Sequence, residues 1–468
     1  MNPPSPTTLG ELRASGYRPR SIKQEMRENL IARLRSEEPL FPGIVGYDTT
    51  VVPQIENAIL AGQDIILLGE RGQAKSRIAR SLIALLDEWL PAVAGSELHD
   101  DPFAPVSAHA RTLVQDAGDD TPVEWIHRSD RYSEKLATPD ITIADLIGEV
   151  DPVRVAEGRY LADELTIHYG LLPRTHRGIF ALNELPDLAE RIQVGLLNVM
   201  EERDVQIRGY RVRLALDLIV VASANPEDYT SRGRIITPLK DRFGAQIRTH
   251  YPEHGSQEIE IMESQLHRFE LRDEPVVFVP GFMKEILAEL SQLARRSAEV
   301  SQRSGVSVRV SIANYETLLA AALKRAVRLG ESDASPRISD LAAVVASTAG
   351  KIELETLGDE AREDRVIDKL VQRAVLNTFN RYFALSELVS IVERFDSGTS
   401  AEVGEHVGSR AHARLVSDVP AVRRAVAKLD VGESPAGTAS AVEFILEGLH
   451  LNRRLNKERR GGTVRYAR

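Results

Sequence analysis

The chain has 468 residues, 59 basic and 69 acidic side chains for a net charge of −10, and no cysteine. Disulfides, thiolate metal sites and a cysteine nucleophile are excluded, and the acidic balance weighs against a protein that coats nucleic acid. No apolar run reaches the ~18 residues a membrane span needs, and MNPPSPTTLGELRASG lacks the apolar core of a signal peptide, so the expected address is the cytoplasm.

Residues 1–10 are rich in Pro, Ser and Thr and read as mobile, and SIKQEMRENLIARLRS reads as a charged amphipathic helix that FPGIVGYD ends. DIILLGE is an apolar run closed by Gly69, as a buried strand would be. SRIARSLIALLDEWL then puts Ile78, Leu82, Leu85, Leu86 and Trp89 on one helical face. Between them lies GERGQAKSR, Gly69 to Arg77. A glycine-rich turn between strand and helix is where backbone N–H groups converge on phosphate. Gly69 and Gly72 permit the tight turn, with Glu70, Arg71, Gln73, Ala74 and Arg77 completing the loop. Lys75 would reach the β- and γ-phosphates, and Ser76 would ligate Mg²⁺ through its hydroxyl. The usual pattern is G-x-x-x-x-G-K-[ST]. Ala74 replaces its second glycine, which is acceptable where that position does not need a positive φ. The plain alternative is a surface turn that happens to hold a lysine.

Two further apolar runs, GIFALNEL and DLIVVASANP, flank a helix carrying Leu188, Ile192, Leu196, Val199 and Met200; strands alternating with helices predict an α/β domain with a parallel sheet. Glu184 ends the first run, where a carboxylate could orient and deprotonate a water, and Asn183 stands where an aspartate is expected near Mg²⁺. Asn225 ends the second run and could sense the γ-phosphate. DVQIRGYRVRLAL alternates on both sides of a turn and reads as an inserted β-hairpin. In PLKDRFG, Arg242 could be offered to a neighbouring subunit's phosphate, with Arg232 and Arg234 as rivals and a surface ion pair as the plain alternative. Beyond about residue 255 the periods are helical, and Arg309 opens one such helix and could fold onto the γ-phosphate. Asp100–Asp101 and Asp119–Asp120 read as solvated loop charges, His406 and His412 as exposed, and LNRRLNKERRGGTVRYAR as a basic tail that frays.

Taken in this order, the motifs resemble the AAA+ ATPase superfamily, in the branch of the magnesium-chelatase ATPase subunit and the MoxR-type ATPases. GERGQAKS resembles Walker A, GIFALNEL Walker B, SANP sensor 1, LKDRFG the arginine finger and SVRVS sensor 2. GIVGY, with Val45 and Gly46, resembles the segment packed near adenine, and TPDITIADLIGEVDP with the chain that follows resembles the helix-2 insertion. Some members also read A-K-S in the loop; Asn183 departs from the family's aspartate.

The resemblance implies a P-loop AAA+ parallel-sheet core with inserted hairpin and helix-2 insertion over 37–255, preceded by a mobile segment and helix (1–36). An all-helical lid (256–395) and a helical extension with a basic tail (396–468) would follow. It further implies ATP and Mg²⁺ as cofactors and a homo-oligomeric, six-membered ring that remodels a partner protein, with a separate von Willebrand factor A-domain protein. The alternative is a magnesium-chelatase ATPase subunit proper. A DNA motor using Arg208, Arg211 and Arg213 of the hairpin with Arg453, Arg454, Lys457, Arg459 and Arg460 of the tail, and a nucleotide-dependent scaffold with little turnover, are the lesser readings.

Overall fold

A computed structural model of the chain describes residues 3–150, 166–202, 204–206, 213–225, 234–267, 275–301, 305–354 and 360–468. It divides into two compact units, Met1–His250 and Tyr251–Arg468.

The first unit is built on five parallel strands: β1 (Ile65–Leu68), β2 (Tyr132–Leu136), β3 (Gly178–Asn183), β4 (Leu218–Ala224) and β5 (Ala245–Arg248), in the spatial order β5-β1-β4-β3-β2. β1, β3 and β4 are mostly apolar, with Asn183 and Ser223 near the carboxyl ends of β3 and β4 as the polar exceptions, because both faces are covered, as in parallel sheets generally. Ile65, Leu67, Ile179, Ala181, Ile219 and Val221 face one apolar layer, and Ile66, Phe180, Leu182, Val220 and Ala222 face the other. Helix α1 (Ile22–Ser36) closes one side, tied down by a buried bidentate pair in which Arg131 Nη1 and Nη2 meet the Glu25 carboxylate at 2.7 and 2.6 Å. The predicted hairpin has its flanks, Asp204–Gln206 against Arg213–Ala215 in antiparallel register; Arg208 and Arg211 lie outside the described residues. The ends of the helix-2 insertion, Gly148–Val150 and Ile167–Tyr169, also pair antiparallel, and 151–165 lie outside the described residues.

Three expectations are corrected here. The N-terminal segment predicted to be mobile is anchored: Val123 N donates to Thr7 O at 2.8 Å, Trp125 Nε1 to Pro6 O at 2.8 Å, and Leu12 is fully buried. The helix predicted through residue 90 stops early. α2 (Lys75–Ser81) passes into a 3₁₀ turn at Leu82–Leu85, and Trp89 begins a strand, Trp89–Val93, paired with Val123–His127. Asp100 is no solvated charge. It is buried and accepts hydrogen bonds from Ser96 Oγ and Ser107 Oγ, both at 2.6 Å, and from Ser107 N at 2.9 Å, because a buried carboxylate must be paid in donors.

The second unit packs α5 (Gly281–Arg296), α6 (Val308–Leu329), α7 (Glu360–Tyr382) and α8 (Pro435–Leu451) around stacked rings, with Phe282 and Phe444 centroids 4.4 Å apart. α7 and α8 approach closely because position 448 is glycine: a Cβ there would fall 2.0 Å from the Phe379 ring. Two expectations fail in this unit. The basic tail does not fray. It forms β7 (Asn456–Arg460) and β8 (Thr463–Ala467), and β6 (Ala401–Gly404) pairs with β8 to make an antiparallel sheet. Gly461 and Gly462, with φ of 49° and 92°, supply the two positive-φ residues that a tight hairpin demands. His412 is buried, with Nε2 3.5 Å from Glu443 Oε1. Around that pair, Arg325 binds Asp340 at 3.0 Å, and Arg337 Nη1 lies 3.9 Å from Glu443.

Candidate functional site

The loop Gly69–Arg77, Asn183, Glu184 and Asn225 gather at the carboxyl ends of parallel strands, the edge where α/β sheets present loops to ligands. β1 feeds the Gly69–Arg77 loop. Gly69 is required sterically, since a Cβ there would sit 1.9 Å from Thr249 Oγ1 and 2.2 Å from Gln73 Oε1. Gly72 takes φ 77°. Ala74 takes φ 57°, so the position does need the left-handed region that the sequence left open. Alanine holds it at a cost of about 1–2 kcal/mol in backbone strain. Lys75 is buried and curls over the loop, donating from Nζ to the carbonyls of Gly69 and Glu70, the latter at 2.8 Å. A cavity of about 460 Å³ opens beside the loop, lined by Leu68, Gly69, Glu70, Gln73, Lys240, Arg248 and Thr249.

The loop meets the neighbouring strands through one polar cluster. Ser76 Oγ lies 3.3 Å from Asn183 Oδ1, and Ser223 Oγ, on β4, lies 3.2 Å from the same oxygen. Asn183 Nδ2 donates to Glu134 Oε1, on β2, at 2.5 Å. Arg80, one turn beyond Ser76 on α2, donates to both Glu134 oxygens, from Nε to Oε2 at 2.6 Å and from Nη2 to Oε1 at 3.0 Å. Partial burial works to raise the Glu134 carboxyl, but the hydrogen bonds from Arg80 and Asn183 outweigh it and hold it below its ordinary range, so it is ionised at neutral pH. Glu184 follows at once, held at φ 55° and ψ 48° with its N–H donating to Ser223 Oγ at 3.2 Å. A left-handed glutamate at a strand end is a strained conformation of the kind that accumulates at functional sites. Asn225 is buried at the end of β4. The groups nearest the loop, Ser76 Oγ, Asn183 Oδ1 and Ser223 Oγ, are oxygens, the set that suits a hard cation such as Mg²⁺.

The segment carrying Val45 and Gly46 reaches the loop through Tyr47, whose hydroxyl donates to Gln73 O at 3.0 Å and His250 O at 2.8 Å. Burial pushes that phenol up to about 12, so it keeps its proton. Arg77 lies beside the same segment, within 2.9 Å of where a Gly43 Cβ would sit.

No protein-family model matches the chain. Among curated proteins it is similar to magnesium-chelatase subunit ChlI of Mesostigma viride, 24% identical over 293 residues, 59% of this chain and 75% of that one. It is 27% identical over 226 residues to the chloroplastic subunit ChlI-1 of Arabidopsis thaliana, covering 46% of this chain and 50% of that one. It is 27% identical over 239 residues to the magnesium-chelatase 38 kDa subunit of Rhodobacter capsulatus, covering 48% and 60%. The chain thus spans between half and three quarters of the length of these relatives.

These likenesses support the resemblance to AAA+ ATPases of the magnesium-chelatase/MoxR branch.

The structure brings together the loop, Asn183, Glu184 and Asn225 within the first unit. Arg242, on α4 (Thr237–Arg242), is exposed and paired with Glu201 of α3 (Glu190–Glu202). Its rival Arg234 is exposed, and Arg232 lies outside the described residues. Arg309 belongs to the second unit, exposed in the first turn of α6, its N–H donating to the capping Ser307 Oγ at 3.1 Å. Sequence reasoning missed Glu134, Ser223, Tyr47 and Thr249. Ser223 sits two residues before Asn225 in a strand already recognised, so the alternation of side chains along that strand was a usable signal. No helix among the described residues is long and apolar enough to cross a membrane.

Proposed function

We propose that this protein binds ATP with Mg²⁺ and hydrolyses it as a ring of identical subunits, coupling turnover to the remodelling of a partner protein in the cytoplasm. The observation that carries this reading is the hydrogen-bonded convergence of Ser76, Asn183 and Ser223 beside Lys75 and Glu184 at one sheet edge. The amides of Gly69–Arg77 would cradle the phosphates and Lys75 would swing from its loop carbonyls to the β- and γ-oxygens. Ser76 and Asn183 would hold Mg²⁺, which supplies charge neutralisation at the phosphates when bound. Glu184 would take the proton of the attacking water, and Asn225 would hold that water against the γ-phosphate. Val45 and Gly46 would pack on adenine. Arg242 would act in the neighbouring subunit's site after leaving Glu201, and Arg309 would close from the second unit. A separate von Willebrand factor A-domain protein would be the partner. The domain plan proposed for this function is a core over 37–255, a lid over 256–395 and an extension over 396–468.

Phosphate release and nucleotide binding test the reading together. Lys75→Ala should lower ATP affinity by at least about 100-fold, whereas Glu184→Gln should keep ATP bound and lower turnover by about 100-fold or more. A wild-type chain that binds no adenine nucleotide, or turnover that survives Glu184→Gln, overturns it. The names of the relatives favour a second reading, the ATPase subunit of a magnesium chelatase that drives Mg²⁺ into a porphyrin. ATP-dependent metal insertion on adding a porphyrin-binding subunit would decide for that one.

A further inference from the structure

Asn183 offers an oxygen where a carboxylate is expected, and the missing charge lies one side chain away. Glu134 Oε1 is 2.5 Å from Asn183 Nδ2. An ionised carboxylate can only accept, so the amide NH₂ must face Glu134 and the amide oxygen must face Ser76 and Ser223. The reverse orientation would press two oxygens together. Glu134 therefore fixes the direction of the Asn183 oxygen and sets a formal negative charge directly behind it. Its counter-ion Arg80 lies further toward solvent, 63% exposed against 20% for Glu134, so the carboxylate end of the pair is the one that meets Asn183.

We propose that Glu134 is a positioning residue that supplies, from the adjoining strand, the charge Asn183 lacks, so that the two side chains share the work of one acidic metal ligand for the cation that accompanies a nucleoside triphosphate. Asn183 gives the oxygen and Glu134 gives its orientation and the charge. This inference rests on the nucleotide-binding reading above.

The test is Mn²⁺ binding to the full chain, followed by electron paramagnetic resonance in the presence of adenylyl imidodiphosphate, with analogue binding in EDTA measured in parallel. Glu134→Gln should weaken Mn²⁺ by about 10- to 100-fold, the usual cost of losing an outer-sphere partner, and leave analogue binding in EDTA unchanged. Asn183→Asp alone should tighten Mn²⁺ by less than about threefold at pH 7, since two carboxylates in contact share a proton. The double variant Asn183→Asp/Glu134→Gln should return to wild-type affinity, which a merely structural role for Glu134 would not produce. Tenfold tightening by Asn183→Asp alone would mean the wild-type site lacks the charge, and would overturn the proposal even if Glu134→Gln fails to fold. A double variant no better than Glu134→Gln would also overturn it. If the wild-type chain binds no analogue with or without metal, the nucleotide reading itself has failed, and this inference falls with it.

Discussion

At the sheet edge of the first unit, Ser76, Asn183, Glu184 and Glu134 are only partly buried, and their bonds run between strand ends and a loop. In the second unit Arg325, Arg337, His412 and Glu443 are sealed from solvent inside a helical core. The first arrangement leaves polar atoms within reach of a ligand. The second encloses its charge within the helical packing, and among the described residues several of its atoms, Arg337 Nε and Glu443 Oε1 included, have no hydrogen-bond partner. Polar side chains thus serve two ends: reachable ones can change partners during a reaction, and enclosed ones hold helices in register. A buried charge of the second kind is costly to orphan.

Mutation breaks the comparison most sharply. Glu443→Ala should strand Arg337 and His412 and lower stability by about 3–5 kcal/mol in chemical denaturation. Glu184→Gln should stay within about 1 kcal/mol of wild type, because its side chain is not enclosed; equal losses from the two changes would erase the distinction. Acid gives an intermediate effect. Burial works to raise the Glu443 carboxyl, but His412 and Arg337 outweigh it and hold it at about 2, against 4.5 for the free group. A folded value below the unfolded one means its stabilisation is complete above pH 4.5 and erodes as pH falls toward 2. Urea midpoints at descending pH should show that loss, and Glu443→Gln should flatten it. The smallest effect belongs to the loop. Ala74→Gly relieves the left-handed strain at the expense of a freer unfolded chain, for a net gain of about 0.5–1 kcal/mol in thermal unfolding.

Much of the sheet was legible because β1, β3 and β4 carry apolar runs, and the phosphate loop because its glycines and Lys75–Ser76 keep their spacing. Strand β2 was not. YSEKL has no apolar run, since an edge strand covered on fewer sides tolerates polar residues, and so Glu134 stayed out of view. Asp100 and His412 were misread for a related reason: a charge looks solvated until tertiary structure brings it donors, as Ser96 and Ser107 do for the aspartate. The C-terminal hairpin was hidden by its arginines, although Gly461–Gly462 was a turn signal in plain sight. Trp89 fell on the helical stripe by period alone, and period cannot say where a helix gives way to a strand.

Tyr47 has one proton and two carbonyl acceptors, at Gln73 and at His250. The two claims on it compete: whichever carbonyl draws closer leaves the other more weakly held. A change in the shape of the loop at residue 73 is therefore registered, by a single hydroxyl and without any intervening helix, at residue 250, the last position before the chain leaves the sheet-bearing unit.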